Sequence, residues 1–72
     1  MRLQGLYNEY KEKKAKDLKV GDVTIWNYGY TETVLNVEFS KSGKTVNVTI
    51  LSNTSGTQHT RKMRSDRLVA MA

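Results

Sequence analysis

Two stretches of strict alternation, separated by a turn signal, constrain this chain more than any other feature. Leu35, Val37 and Phe39 alternate with Asn36 and Glu38, and Val46, Val48 and Ile50 alternate with Asn47 and Thr49. Side chains on a strand point to opposite faces with period two, so each stretch has one apolar and one polar face. Between them runs Ser40 to Lys44, in which Gly43 is free to take the positive φ of a tight hairpin. A strand–turn–strand over about 34–51 is therefore expected. An isolated hairpin is not stable in water, so its apolar face needs further strands to pack on.

The rest of the chain supplies candidates. Val23 and Ile25 alternate with Thr24 after a turn at Gly21-Asp22. The stretch 57–64 reads as a basic strand, Ser65-Asp66-Arg67 as a short turn and Leu68 to Met71 as a closing strand. At the other end, Leu3, Leu6, Tyr7 and Tyr10 fall at i, i+3, i+4 and i+7. That spacing predicts a helix over about 4–15 with one apolar face. Glu9–Lys13 and Glu12–Lys16 would support it as i,i+4 pairs, while Gly5 would weaken its first turn. The expectation is a mainly β domain: five antiparallel strands curled into a small barrel, which removes the exposed edges of a flat sheet. An N-terminal helix (residues 1–16) packs on the barrel (17–72) in a single domain.

Composition excludes several classes of function. The 72 residues contain no cysteine and one histidine, so no thiolate chemistry or His-rich metal cluster is open to the chain. His59 has no second His and no carboxylate at metal-ligand spacing. No base is placed beside any Ser or Thr by a catalytic motif, and no glycine-rich loop cradles a phosphate. A barrel this small fills its interior with side chains. A non-enzymatic protein is expected, with no catalytic residue, no metal and no cofactor. No apolar run is long enough to span a membrane and no secretory core is visible, so a cytoplasmic location away from membranes is expected.

The net charge of +5 is unevenly distributed. Residues 1–21 carry +3, residues 22–58 carry −1 and residues 59–72 carry +3. If folding brings the two basic ends together, they form one patch able to attract phosphate backbones. If it does not, the charge is a solubility device. In 59–64, an inward Met63 turns Lys62 and Arg64 outward and leaves Arg61 at the rim or paired with a carboxylate such as Asp66 or Glu38. Lys62, Arg64 and Arg67 are candidate phosphate contacts, or alternatively the charges that keep an edge strand from aggregating. The lysines at 11–19 are either a solvated face or a further anion-binding arm.

The segment Trp26-Asn27-Tyr28-Gly29-Tyr30 is the most distinctive of the chain. If it were extended, Trp26, Tyr28 and Tyr30 would share one face, opposite Val23 and Ile25. Exposed aromatics beside positive charge can stack bases or anchor a protein interface. The alternative is that Trp26 plugs the barrel mouth or supports the N-terminal segment.

Three features, namely Asp17-Leu18-Lys19-Val20-Gly21-Asp22, the strand–turn–strand Val34 to Ile50, and the turn Ser65-Asp66-Arg67 before Leu68 to Met71, give an order of elements that resembles an SH3-like barrel over about residues 17–71. The chain is also similar to small basic proteins encoded by phages of Gram-positive bacteria. Neither resemblance carries a functional residue across. Two functions are left in view: a DNA- or RNA-binding module using Trp26, Tyr28, Tyr30, Lys62, Arg64 and Arg67, and a module or phage-type inhibitor that binds an acidic host protein. Either would act as a monomer or weak homodimer.

Overall fold

A computed structural model describes all 72 residues. The alternating stretches form the centre of one antiparallel sheet. Its strands are β1 (Lys11–Lys14), β2 (Val23–Ile25), β3 (Thr31–Phe39), β4 (Thr45–Ser52), β5 (Gln58–Arg64) and β6 (Leu68–Met71). Their spatial order is β1-β6-β2-β3-β4-β5, leaving β1 and β5 at the two open ends. Short 3₁₀ turns at Ala15–Asp17 and Asn27–Gly29 interrupt the chain between strands. Met63 of β5 and Val69 of β6 belong to one core cluster with Ala15, Leu18, Val34 and Ile50. Three strands lie between β5 and β6 in the sheet, so a shared core requires the sheet to curl strongly over its apolar face.

The β3–β4 hairpin differs from simple alternation at one point. Val34 pairs with Ile50, but Asn36 pairs with Thr49, which leaves Leu35 as the extra residue of a bulge. The bulge switches parity. Glu32 and Val34 face the core before it and Val37 packs against the core after it, while Leu35 is only half-buried and Phe39 is exposed. The expected Leu35–Val37–Phe39 stripe is thus replaced by Val34 and Val37.

The N-terminal helix is not formed, and there are six strands rather than five. Gly5 takes φ 78° at a turn in which the N–H of Leu6 donates to the carbonyl of Leu3. The chain then doubles back, so that Arg2 pairs with Glu9 and the Tyr10 N–H reaches the Met1 carbonyl. Residues 11–14 run along β6 as β1, with Lys11 opposite Met71 and Lys14 opposite Leu68. The physical reason is the free edge of β6. A strand laid there satisfies backbone groups on both sides, whereas a helix of about a dozen residues is marginal alone. The helical spacing was coincidental for Tyr7, which is 98% exposed, while Leu3 and Leu6 are half-buried.

The connection into β2 is held by charge. The Lys13 ammonium donates to Asp22 Oδ2 at 2.9 Å, and the Lys19 N–H donates to the same oxygen at 2.9 Å. Burial works to raise the Asp22 carboxyl. The Lys13 hydrogen bond, the Lys19 N–H and the charges of both lysines outweigh it and hold the carboxyl below its ordinary value. No helix is long and apolar enough to cross a membrane.

Candidate functional site

The segment around Trp26 does not stay extended. After β2 the chain enters the Asn27–Gly29 turn, where Tyr28 has the left-handed φ of 66°. That turn destroys the shared aromatic face, because period two holds only along a strand. On β2 it is Thr24 that is buried opposite Glu32, and Trp26, two residues on, packs against the core cluster. Ile25 lies on the other face and lines one groove with Met1 and Leu3. The parity is therefore the reverse of the sequence expectation. Tyr28 and Tyr30 are exposed, at 61% and 57%. The Tyr28 ring rests against the backbone at Gly5, and the Tyr28 N–H donates to the Gln4 carbonyl at 2.8 Å.

Trp26 is the hub of a polar cluster at the end of the core. Its indole N–H donates to Thr24 Oγ1 at 3.2 Å. The Arg61 guanidinium lies 4.7 Å from the ring centroid and that of Arg67 lies 5.5 Å away, both in cation–π range. Arg61 is fixed by the buried carboxylate of Glu32. Its Nε donates to Oε1 at 2.9 Å and its Nη2 to Oε2 at 3.0 Å, a bidentate fork. His59 Nε2 lies 3.4 Å from Glu32 Oε2. Pairing His59 opposite Ile50 and Arg61 opposite Val48 puts both side chains on the core face of β5, which is why they converge on Glu32. Sequence reasoning missed Glu32. The signal available was a carboxylate two residues before Val34 on the same face, but the bulge at Leu35 concealed that shared parity. Asp66 and Glu38, the expected partners of Arg61, are exposed.

The two arginines on Trp26 are not equivalent. Arg61 is neutralised by Glu32, whereas no carboxylate lies within ion-pair distance of Arg67. Arg67 is also held by its backbone, since its carbonyl accepts from the Ala15 N–H at 2.8 Å and its N–H donates to the Arg64 carbonyl at 3.1 Å. It borders an apolar groove of about 250 Å³ that includes Leu3, Ile25, Trp26 and Leu68.

On the other side of the same turn lies a polar cleft of about 530 Å³. Lys16, Lys44 and Arg64 line it together with Thr45, Ser65 and Asp66. The three cations come from the turn after β1, from the β3–β4 hairpin and from the end of β5. Backbone hydrogen bonds stitch these segments together: the Ser65 N–H donates to the Lys44 carbonyl at 2.9 Å, and the Lys16 N–H to the Ser65 carbonyl at 3.0 Å. The Ser65 hydroxyl also donates to the Gly43 carbonyl. None of the three cations has an ion-pair partner. Of the residues singled out from the sequence, the structure brings Arg67 onto Trp26 and places Arg64 in the cleft. Lys62 projects from the opposite face of β5 to Met63, and Tyr28 and Tyr30 sit on the turn beyond β2. Lys16 comes from the lysines at 11–19 named as a candidate anion-binding arm, whereas Lys44 was missed because it is not near Arg64 in sequence.

Comparison with models of known protein families finds no match, and comparison with curated proteins finds no similar sequence. The functional reading accordingly rests on the geometry.

Proposed function

We propose that this chain is a non-enzymatic nucleic-acid-binding module, built as an SH3-like barrel, that takes hold of the phosphate backbone. One observation carries the reading: Lys16, Lys44 and Arg64, from three separate segments and all without carboxylate partners, converge on one polar cleft. Cations left unpaired and positioned by backbone bonds are poised for phosphate oxygens. Arg67, stacked on Trp26, extends the positive surface around the turn, and Lys62 adds charge along the outer face of β5. Trp26 contributes by holding the arginines, and base stacking falls to the exposed tyrosines and the groove rim.

The test is fluorescence anisotropy of a labelled oligonucleotide across a salt series. Each phosphate contact contributes about 0.7–0.9 to the slope of log affinity against log salt, so the triple variant Lys16→Gln, Lys44→Gln, Arg64→Gln lowers the slope by about 2–3. An affinity indifferent to salt and to the triple variant refutes the reading. A second reading, a module that docks on an acidic protein, is favoured by the exposure of Tyr7, Tyr28 and Tyr30. Co-purification that survives nuclease treatment and is lost in Tyr28→Ala and Tyr30→Ala supports it instead.

A further inference from the structure

We propose that the apolar groove beside Trp26 is a base-binding subsite for a single-stranded nucleic acid, with the adjoining phosphate held by Arg67. The inference rests on the nucleic-acid reading above and adds strandedness to it. Three features of the groove point to this occupant. Its lining is mostly apolar and includes Trp26 and Leu68, which is 45% exposed. Its polar equipment consists of donors. Asn27, one of its lining residues, receives the Gln4 N–H on Oδ1 at 2.9 Å and keeps its amide NH₂ as a donor, and Arg67 is a cation with no carboxylate beside it. No acidic residue lines it. Unpaired bases combine a flat apolar body with ring and carbonyl acceptors at the edge, and their backbone is anionic.

The groove and the basic cleft are lined by consecutive residues of one turn. Residues 64–66 line the cleft, residues 67–70 line the groove, and the Arg67 N–H to Arg64 carbonyl bond keeps the two close. A ligand with one isolated carboxylate beside an apolar side chain would satisfy Arg67 alone. A repeating polyanion with bases attached satisfies Arg67 and then Lys16, Lys44 and Arg64. A duplex cannot deliver a base to the groove without unpairing it, so this geometry selects single strands.

The probe is a labelled oligothymidylate of about fifteen nucleotides, compared with a duplex of the same length at low salt. The single strand binds about tenfold tighter, as expected for one stacked base. It also changes the emission of Trp26, the only tryptophan, which the duplex leaves unchanged. Leu68→Asp places a carboxylate in the groove wall at an exposed position. It lowers single-strand affinity by a larger factor than duplex affinity, because the carboxylate disrupts the base site as well as weakening the phosphate contact of Arg67 that both ligands share. Equal binding of single strand and duplex, or an unchanged Trp26 emission at saturation, overturns the base subsite while leaving phosphate binding intact. Absence of binding by either oligonucleotide overturns both. A polyglutamate peptide that binds the groove as tightly as the single strand overturns the choice of occupant. The wild-type comparison decides the matter even if Leu68→Asp fails to fold.

Discussion

Removing the charge of Glu32 tests whether the polar cluster at the end of the core is a structural keystone. Glu32→Gln keeps the volume of a side chain that is 6% exposed. It replaces one carboxylate oxygen by an NH₂ group that faces the Arg61 fork, so one of the two hydrogen bonds becomes a donor–donor clash. Hydrogen bonds to charged groups are worth about 1.5–3 kcal/mol each, and orphaning a fully buried charge costs about 3–5 kcal/mol. Arg61 is 39% exposed and retains water on part of its guanidinium, so the lower end of these figures applies. A loss of about 2 kcal/mol is expected. For a domain of 72 residues the total stability is about 4–11 kcal/mol, so the variant loses a fifth to a half of it. Thermal unfolding followed by circular dichroism should show Tm lowered by about 8–16 °C. The accompanying double variant Glu32→Leu, Arg61→Met leaves no orphaned charge and should be less destabilised than Glu32→Leu alone. A Tm for Glu32→Gln within about 2 °C of the wild type, or a double variant as unstable as the sum of its parts, refutes the reasoning.

Gly5→Ala should cost about 1–2 kcal/mol in denaturant unfolding, because φ 78° strains an L-residue and the new Cβ would lie 2.5 Å from Tyr28 Cδ1. The exposed Tyr28 ring can swing aside, so Gly5→Ala combined with Tyr28→Ala should recover the steric part but not the backbone part. The Asp22 carboxyl is held below its ordinary value, so its stabilising contribution is fully present above about pH 4 and is lost as pH falls through the folded-state value. Acid unfolding of Asp22→Asn should therefore lack that increment, and a midpoint identical to the wild type would count against the Lys13–Asp22 clasp. Lys62→Gln should lower the salt dependence of oligonucleotide binding by less than Arg64→Gln does, since Lys62 does not line the cleft. Equal effects in anisotropy titrations would place the phosphate path along the outer face of β5 instead.

The strands were legible wherever two-residue alternation ran into an identifiable turn. β4, β5 and β6 lie within a residue or so of the expected positions, because Gly43 and the Ser65–Arg67 turn fix where the chain reverses. The inward side of Met63 was legible for the same reason. Legibility failed where tertiary pairing overrode local pattern. Nothing local in Lys11–Lys14 reads as a strand. It becomes one because β6 offers an open edge, and an edge is a property of the assembled sheet. The aromatic face was lost to the Asn27–Gly29 turn, where Tyr28 and Gly29 both take positive φ and re-aim the chain after Trp26. Glu32 was hidden by a bulge, which shifts parity without leaving a mark in composition. Half of the candidate site was therefore visible, in Trp26, Arg64 and Arg67. Lys16 was visible only as one of several lysines at 11–19, and Lys44 and Glu32 required the register.

The register also decides where the charge of the two basic ends lies. Antiparallel pairing of β1 with β6 sets residues 11–14 against 68–71, so the ends of the chain are neighbours. Pairing then sorts the cations. Lys13 and Arg61 meet Asp22 and Glu32, carboxylates that each secure a structural junction, and Arg2 meets Glu9 at the surface. The cations without carboxylate partners include Lys16, Lys44, Arg64 and Arg67, and these border the turn at 64–67 from both sides. A charge carried only for solubility needs no common location and no backbone scaffold. Here one cation from each of the three segments of the chain, including the near-neutral middle, is tied by main-chain hydrogen bonds to the same cleft. Holding three cations around one cleft raises the energy of the free protein, and the single carboxylate there, Asp66, offsets it only in part, which is the physical ground of the phosphate-binding proposal.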